Sequence, residues 1–461
     1  MFFLRRSREL RVTQSRQLQG SVRSALFILT CSAAQPSWAG DHGGYIQQEY
    51  LIKTTSQSRA VALSLASEVI VSPKPLLETP DGDWFKVVYY GRKEGLSSLE
   101  SRMSLADGVI SFEPNFSWST LGSASTTPKD DDRSGPRPER PPRLPRRGRS
   151  DPLLQKVWSL EKIGAREAWK ISNNSSNLIV GVIDSGVDYN HEDLVNNIWR
   201  NPAEVPNDGI DNDGNGYVDD VLGWDFLNDD NLPWDDNGHG THTAGILGAT
   251  GGNGVGLSGI SQRTSILPLK FLSGSGEGTT EDAIRAIQYA VALGARVLSN
   301  SWGGETYSRA LEDAIASAGR NDVLFVAAAG NDASDNDALP MYPAAYALPN
   351  VLSVAATDRN DHLADFSNYG YATVHLAAPG DFIWSTTPAD KYSVMSGTSM
   401  ACPLAAGAAG LLRSLRPDLN ALEIKEILLS SSDKLPELLN KVKSAGRLNV
   451  VQALRLATGS F

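Results

Sequence analysis

Four polar side chains stand at points where the character of the chain changes. Asp184 follows an apolar run, His239 precedes another, Ser399 precedes a stretch of small residues, and Asn331 follows a buried-looking segment. A hydroxyl becomes a good nucleophile when an imidazole removes its proton, and the imidazole needs a carboxylate to hold its tautomer. An acid, an imidazole and a hydroxyl therefore predict nucleophilic catalysis, provided that the fold brings them together.

The elements that must position these residues alternate between strands and helices beyond residue 151. The hydrophobic patterns predict strands at 178–183, 296–299 and 323–329 and helices at 280–293, 310–318 and 405–412. Repeated strand-helix-strand alternation indicates a parallel sheet with helices on both faces. Reactive groups gather at the carboxyl ends of such strands. We therefore expect an α/β domain with a mostly parallel, doubly wound sheet over residues 151–461.

The chain before residue 151 divides into three parts. Arginines, a short apolar run and small residues before Gly40 predict a signal peptide at 1–39, with a basic tail as the alternative. Alternating apolar stretches around a helix-like segment predict a small α+β domain at 40–118. Residues 119–150 are rich in proline and arginine and poor in hydrophobic side chains, which predicts an exposed linker.

Composition restricts the partners and the location. The chain of 461 residues has 42 basic and 53 acidic side chains and a net charge of -11, with the acidic excess beyond residue 150. An acidic domain argues against nucleic-acid binding, which needs basic surface. No apolar run is long enough for a stable membrane span. Cys31 lies in the predicted signal segment, so its removal leaves Cys402 without an intramolecular partner. We expect secretion, extracellular or periplasmic; a lipid anchor on Cys31 is an alternative that Thr30 disfavours.

The four motifs resemble those of the subtilisin-like serine proteases, which carry Asp, His, Asn and Ser in this chain order. The resemblance runs from about residue 151 to residue 449. It implies that Asp184 orients His239, that His239 acts as general base and then acid, and that Ser399 attacks the scissile carbonyl. It also implies an oxyanion hole made by the Asn331 side chain and the Ser399 backbone N–H. His242 is assigned a structural role.

The same resemblance implies residues that bind an extended peptide by β-augmentation. One wall of the pocket for the residue before the scissile bond is expected from Ser301, Trp302, Gly303 and Gly304, and the opposite wall from Ala328, Ala329 and Gly330. Met341 is expected near the pocket floor, with simple core packing as the alternative. Glycines in such a wall let the substrate backbone approach closely.

An acidic insertion between Asp184 and His239 predicts a cation site. Its members Asp211, Asp213 and Asn215 alternate and are followed by Gly216, as at the start of an EF-hand loop. The glutamate expected at the twelfth position is missing, so Asp208, Asp219 or Asp220 would have to replace it. Insertions of this kind bind calcium in bacterial members of the family that the chain resembles. A solvated acidic loop is the alternative.

The resemblance implies further partners. Asp193 and Asn253 match a second, tighter calcium site, and the domain at 40–118 resembles the family's propeptide, which assists folding and inhibits the enzyme. Basic residues of the linker are plausible maturation sites. We therefore expect a monomeric, secreted, calcium-stabilised serine endopeptidase that cleaves proteins and peptides through an acyl-enzyme on Ser399, with its own propeptide as intramolecular inhibitor.

Alternative interpretations of single residues, and alternative functions of the whole chain, have less support in the sequence. Zinc at His239 and His242 lacks a third ligand, and Cys402 is expected only to pack. Rival functions are a non-catalytic surface protein that keeps the fold for binding, which the intact catalytic residues oppose, and an intracellular enzyme of the same family.

Overall fold

The structure is a computed structural model that describes residues 45–55, 69–72, 74–92, 95–106, 108–121 and 150–459. The predicted signal peptide at 1–39 and nearly all of the linker beyond residue 121 lie outside these ranges. Within the described residues, no helix is long and apolar enough to cross a membrane.

The N-terminal domain is an antiparallel sheet with one helix packed against it. The sheet order is β2-β4-β1-β5, and β3 also pairs with β4. Alternate residues of β4 point inward, and Phe85, Val87 and Tyr89 pack with Leu99 and Met103 of the helix. The elements are β1 Tyr45–Thr54, β2 Val69–Val71, β3 Leu77–Thr79, β4 Gly82–Arg92, α1 Leu96–Leu105 and β5 Val109–Pro114.

The larger domain is built on a nine-stranded sheet of order β18-β19-β15-β14-β13-β11-β7-β9-β8. All neighbouring strands in it are parallel except β18 and β19. The strands are β7 Asn174–Asp184, β8 Trp224–Asp225, β9 Arg263–Lys270, β11 Val297–Asn300, β13 Leu324–Ala328, β14 Val351–Thr357, β15 Leu376–Pro379, β18 Asp433–Lys434 and β19 Gly446–Arg447.

Helices cover both faces of this sheet. They are α2 Trp158–Lys162, α3 Ala165–Ala168, α4 His239–Gly248, α5 Thr280–Ala292, α6 Arg309–Arg320, α7 Thr398–Leu415, α8 Ala421–Ser430 and α9 Val450–Thr458, with short 3-10 helices at Leu154–Lys156 and Pro436–Leu438. The alternation of strand side chains explains the two layers: in β13, Val326 packs with α7, whereas Phe325 and Ala327 pack with α5 and α6. The predicted α/β class is confirmed.

Two smaller strand groups complete the fold. The hairpin of β16 Ile383–Thr387 and β17 Lys391–Met395 precedes the serine motif. A three-stranded sheet of order β10-β6-β12 joins the two domains through β6 Ser117–Thr120, which lies between β10 Glu277–Thr279 and β12 Trp302–Gly303. The expected boundary between N-terminal domain and linker, after residue 118, falls inside β6.

Candidate active site

Asp184 and His239 meet at the carboxyl edge of the large sheet. Asp184 ends β7, and His239 begins α4; both side chains are buried. The Oδ1 atom of Asp184 lies 2.7 Å from Nδ1 of His239 and also accepts the backbone N–H of Ser185 at 2.7 Å. The carboxylate therefore accepts the Nδ1 proton and selects the neutral tautomer in which Nε2 is basic.

Opposing effects act on the pKa of His239. Burial disfavours the charged imidazolium, but the charge and the hydrogen bond of Asp184 favour it, with a further contribution from Asp235, and the pKa is raised above its ordinary value. The Nε2 atom is buried and makes no hydrogen bond to any described residue. These properties suit a general base. By contrast, burial and the neighbouring His239 lower the pKa of His242 to about 3, so His242 stays neutral.

The turn before His239 is organised by a buried carboxylate that the sequence analysis did not single out. Asp235 accepts the N–H groups of Asn237 and Gly238 at 3.0 and 2.8 Å, and Thr241 donates to it from both its N–H and its hydroxyl. The hydroxyl of Ser185 also donates to Asp235 at 2.9 Å. The loop after Asp184 and the turn before His239 are thus held by one side chain. Its position shortly before the histidine motif was the available signal.

Ser399 lies in the first turn of α7 and is fully buried. Its Oγ donates to the carbonyl oxygen of Leu121 and lies 3.1 Å from the carbonyl oxygen of Ser301. The first N–H groups of a helix have no partner within it and form the positive end of the helix dipole. The Ser399 N–H is one of these groups, so a developing anionic oxygen beside it is favoured.

Asn331 lies beside the start of α7. Its Oδ1 accepts the N–H and the hydroxyl of Thr398 at 2.9 and 3.0 Å, and Thr398 Oγ1 in turn accepts the N–H of Gly330 at 3.1 Å. These bonds fix the amide oxygen and leave the Nδ2 hydrogens for another acceptor. The four residues singled out first in the sequence are therefore brought to one edge of the sheet.

Strand β6 occupies the cleft in front of these residues as an extended peptide would. Thr120 pairs with Trp302 in antiparallel register, and the N–H of Leu121 donates to the Ser301 carbonyl at 3.2 Å. On the other side β6 pairs with β10. The chain thus reaches the nucleophile with the Leu121 carbonyl pointing at Ser399 Oγ.

The Leu121 side chain packs against Gly303, which lies in one of the predicted walls of the pocket. A Cβ atom on Gly303 would lie 2.8 Å from the Tyr342 carbonyl oxygen and 3.0 Å from Cδ1 of Leu121, so a larger residue there would collide with the peptide. Cγ of Met341 lies 3.5 Å from that Cβ position and 3.2 Å from the equivalent position on Gly330. Met341 is thus within reach of both glycine-containing walls. Ala328 and Ala329, which precede Gly330, are fully buried.

A second pocket, which the sequence analysis missed, holds the side chain of Trp118. The indole is buried, packs edge-on against Trp302 with ring centroids 5.7 Å apart, and donates from Nε1 to Thr280 Oγ1 at 2.9 Å. A Cβ atom on Gly304 would lie 3.2 Å from its ring. The third residue before Leu121 is therefore recognised by both shape and a hydrogen bond.

Comparison with known proteins agrees with this geometry. A sequence model of the subtilase family matches residues 175–448, which is more than half of the chain. The chain belongs to the subtilase family. Thermitase from Thermoactinomyces vulgaris is 38% identical to this subtilase over 307 residues, covering 66% of the subtilase and 99% of thermitase.

Two other relatives share the same domain. A thermophilic serine proteinase from Bacillus sp. (strain AK1) is 39% identical over 268 residues, or 58% of this chain and 59% of the proteinase. Subtilisin-like protease 1 from Plasmodium vivax is 36% identical over 307 residues, covering 63% of this chain and 49% of the Plasmodium protein. This chain therefore spans about half the length of the latter relative. The subtilase carries the machinery of a serine endopeptidase.

The N-terminal domain of the subtilase binds the N-termini of two helices of the larger domain. Glu113 accepts the hydroxyl of Ser308 at 2.6 Å and the first N–H groups of α6, from Arg309 and Ala310, at 3.0 and 3.3 Å. At the start of α5, the Glu281 N–H donates to the Asn115 side chain at 2.9 Å. Carboxylate and amide oxygens are the usual partners of helix N-termini.

The acidic insertion of the subtilase contributes to a carboxylate cluster that shares Asp213 and Asp220 with the predicted residues and adds Glu204. Ligand oxygens of Glu204, Asp213 and Asp220 lie within 4.8 Å of one another. Glu204 is 7% exposed, and its Oε2 has no hydrogen-bond partner among the described residues. Asn215 donates from Nδ2 to both Asp213 and Asp220, at 3.1 and 2.8 Å. A buried carboxylate oxygen without a donor fits a bound cation.

The other predicted carboxylates of this loop hold its backbone. Asp211 accepts the N–H groups of Gly214 and Gly216 at 2.7 and 2.8 Å, and Asp219 accepts those of Asp208 and Gly209 at 3.1 and 3.0 Å. Hydrogen bonds of this kind fix the shape of the loop. Glu204 was missed because it lies before the alternating acidic string.

The second predicted pair also comes together. The Asn253 amide donates to Asp193 at 2.7 Å, and the Leu257 N–H donates to the other Asp193 oxygen at 2.8 Å. Burial, with a contribution from the nearby Asp151, raises the pKa of Asp193 to about 8. Asp151, which the sequence analysis did not select, accepts the N–H of Gly252 at 2.8 Å. Two neighbouring carboxylates therefore face the same glycine-rich loop.

Proposed function

We propose that this protein is a secreted, calcium-stabilised serine endopeptidase made as a zymogen. It would act as a monomer on proteins and peptides, and not on nucleic acids. The observation that carries the proposal is the contact of Ser399 Oγ with the Leu121 carbonyl, combined with the bond from the Leu121 N–H to Ser301. A peptide carbonyl held beside a buried serine, at the same edge of the sheet as the buried pair of Asp184 and His239, suits acyl transfer.

The proposed reaction uses the described groups in sequence. His239 takes the proton of Ser399, whose oxygen attacks the carbonyl carbon, while Asp184 stabilises the imidazolium. The oxyanion is stabilised by the Ser399 N–H and the Asn331 amide, each worth about 3 kcal/mol in comparable enzymes. His239 then donates the proton to the leaving amine, and water hydrolyses the acyl-enzyme by the same steps.

The zymogen proposal concerns the first bond cut. The chain between Leu121 and residue 122 is the expected site, because the Leu121 carbonyl is the one that reaches Ser399. Cleavage after Leu121 differs from the cleavage at basic linker residues that the sequence predicted. With this first cut, the inhibitory segment extends to residue 121. Linker cleavage would then be a later trimming step.

The activity and the cut are tested by expressing the full chain beside Ser399→Ala. We expect the wild type to yield two fragments separated after Leu121, by intact mass, and the variant to stay uncut. A fluorophosphonate should label Ser399 of the processed protein. A processed protein that carries no label would favour the rival non-catalytic binding protein, and a Ser399→Ala chain that is still cut in isolation would assign maturation to another protease.

The calcium proposal rests on Glu204, Asp213 and Asp220 with Asn215, and on Asp193, Asp151 and Asn253 as a second site. A cation bound only by the folded state stabilises it in proportion to the logarithm of its concentration. Asp213→Ala, and separately Glu204→Gln, should lower Tm in excess calcium more than in chelator, whereas Asp211→Ala should lower Tm in both conditions because Asp211 accepts backbone N–H groups of the loop. Glu305→Gln removes an exposed acid elsewhere and serves as control. Equal losses in calcium and chelator for Asp213→Ala and Glu204→Gln would mean that these two carboxylates act only through the loop backbone.

Secretion is proposed from the sequence of residues 1–39, which lie outside the described residues. Fractionation of a culture should find the processed protein outside the cytoplasm, and N-terminal sequencing of the precursor should begin near residue 40. A precursor that keeps residues 1–39 and stays inside the cell would favour the intracellular rival.

A further inference from the structure

Lys270 is a buried cation at the edge of the active site. It ends β9, its side chain is 3% exposed, and its strand neighbours in register are Asp184 on β7 and Asp225 on β8. An ammonium group taken out of water is costly unless all of its donors are satisfied. A lysine in this position therefore needs a compensating arrangement.

The three hydrogens of the ammonium find three acceptors. Nζ lies 2.8 Å from the carbonyl oxygen of Ser185, 2.7 Å from that of Leu272 and 2.7 Å from Oδ1 of Asp236. A lysine ammonium has three donors and no acceptor, so this set saturates it. Each acceptor lies on a different segment of the site.

Those segments are the ones whose relative position the reaction needs. Ser185 directly follows Asp184, and Asp236 lies in the turn that leads to His239. Leu272 begins the loop to β10, the strand that pairs with β6 in the cleft. The carbonyl oxygen of Asp184 also accepts the N–H groups of residues 271 and 272. One ammonium group thus connects the loop after Asp184, the turn before His239 and the loop that leads to the peptide-binding strand β10.

The surrounding charges are mostly negative. Asp236 is the direct partner, and Asp184, Asp225 and Asp235 lie on the segments that pack around Lys270. Burial raises the pKa of Asp235 and of Asp225, and the positive charge of Lys270 opposes this rise. Loss of that charge would favour protonation of Asp235, which holds the turn before His239. The cation therefore affects the geometry of the site and the titration of Asp235 and Asp225.

We propose that Lys270 is a positioning residue for peptide hydrolysis, which fixes the loop after Asp184, the turn before His239 and the strand β10 relative to one another. It touches neither substrate nor reacting atoms and acts through these segments. The inference rests on the endopeptidase activity proposed above.

Processed enzyme from full chains carrying Lys270→Met, Lys270→Arg and Asp236→Asn would be assayed with one peptide from pH 5 to pH 10. For Lys270→Met we expect kcat/KM to fall about 10- to 100-fold, mostly in kcat, because misplaced catalytic groups lose rate. The acid limb of its pH profile of kcat/KM should move to higher pH by about half a unit, because loss of a nearby cation raises the pKa of the imidazole. Lys270→Arg should recover most of the rate.

Asp236→Asn keeps the lysine but removes a negative charge, so its acid limb should move to lower pH. Lys425→Met is the matched control, because Lys425 is a buried lysine bonded to the carbonyl oxygens of Pro349 and Val351 on α8's side of the sheet. It should lower Tm without moving the pH profile. General destabilisation would not shift the acid limbs of Lys270→Met and Asp236→Asn in opposite directions.

Unchanged kcat/KM in Lys270→Met, or acid limbs that stay in place in both variants, would overturn the proposal. If Lys270→Met yields no processed enzyme, Asp236→Asn and Lys270→Arg decide by the same criteria. An inactive wild type would instead refute the proposed function, which separates the two failures.

Discussion

Replacement of Met341 by glycine tests the pocket that receives the residue before the scissile bond. In the structure this pocket holds Leu121, and Met341 lies between the positions of Gly303 and Gly330. The substitution removes the four heavy atoms of the methionine side chain. A phenylalanine side chain exceeds leucine by three carbons, so the space released is of the size that the larger substrate needs.

The expected magnitude follows from this volume. Differences of one or two methylenes in a pocket are worth about 1 to 3 kcal/mol, or roughly 10- to 200-fold in specificity. The wild type should prefer Leu over Phe before the scissile bond, and Met341→Gly should shift the Phe/Leu ratio of kcat/KM upward by a factor in that range. The cost in stability is about 2 to 5 kcal/mol, as for other buried Met truncations.

The assay compares two peptides that differ only at this residue. Met341→Leu, which roughly conserves volume, is the control and should keep the wild-type ratio. Tm of each variant verifies that the protein is folded at the assay temperature. An unchanged ratio in folded Met341→Gly would mean that Met341 only packs and that the pocket is closed by another residue.

Three further predictions use other contacts. Thr280→Val should remove a preference for Trp over Phe at the fourth residue before the scissile bond, by about 3- to 10-fold in kcat/KM, because one neutral hydrogen bond is lost. Glu113→Gln should speed release of the cleaved N-terminal domain about 10-fold, measured as the time course of activity, because a charge-assisted helix cap is weakened. Burial and the nearby Lys425 lower the pKa of His375 to about 3, so the unfolded chain takes up a proton first as pH falls from about 6.5. His375 should therefore lower the stability to urea by up to about 1.4 kcal/mol per pH unit between pH 6.5 and pH 3, and the buried His242, whose pKa is also lowered to about 3, should add a slope of the same sign. His375→Asn should reduce the total slope by the contribution of one histidine; an unchanged slope in the variant would assign acid sensitivity to other groups.

The candidate catalytic residues could be predicted because their signals are local. Each stands in a short string of small and polar residues at one boundary of an apolar segment, and a parallel sheet brings the ends of its strands and the starts of the following helices to one edge. Strands β7, β11 and β13 and helices α5 and α6 follow their predicted positions within a few residues. Strong periodicity and β-branched composition made these elements recognisable.

Helix α7 begins earlier than the pattern indicated, at Thr398 instead of residue 405. Pro403 lies inside it, and a proline cannot donate to the carbonyl four residues before it. That carbonyl belongs to Ser399 and accepts the hydroxyl of Ser301 at 3.0 Å instead. A side chain about a hundred residues away thus allows the helix to contain the proline, which no local pattern could indicate.

Strand β6 and the cluster member Glu204 were missed for the same kind of reason. The partners of β6 lie on β10 and β12, far along the chain, and its few residues carry no pattern of their own. In the insertion, alternation selected Asp213, which belongs to the cluster, and Asp211, which bonds to the loop backbone, whereas Glu204 contributes from outside the string. Tertiary pairing, rather than spacing, decides which of these groups face each other.

The hydrogen bonds of Glu113 to α6 and of Asn115 to α5 bear on when activity would appear after cleavage. These contacts, and the bond of the buried Lys53 to Asp313 of α6 at 2.9 Å, do not involve the chain at Leu121. If the chain is cut after Leu121 as proposed, these contacts would keep the N-terminal domain bound, with its new carboxyl end still in the cleft. In the proposed zymogen, bond cleavage and the appearance of activity would be separate events. The interval between them would depend on how long the contacts of the N-terminal domain with α5 and α6 last, which also include those of Trp84 with Asp313 and of Lys86 with Glu281.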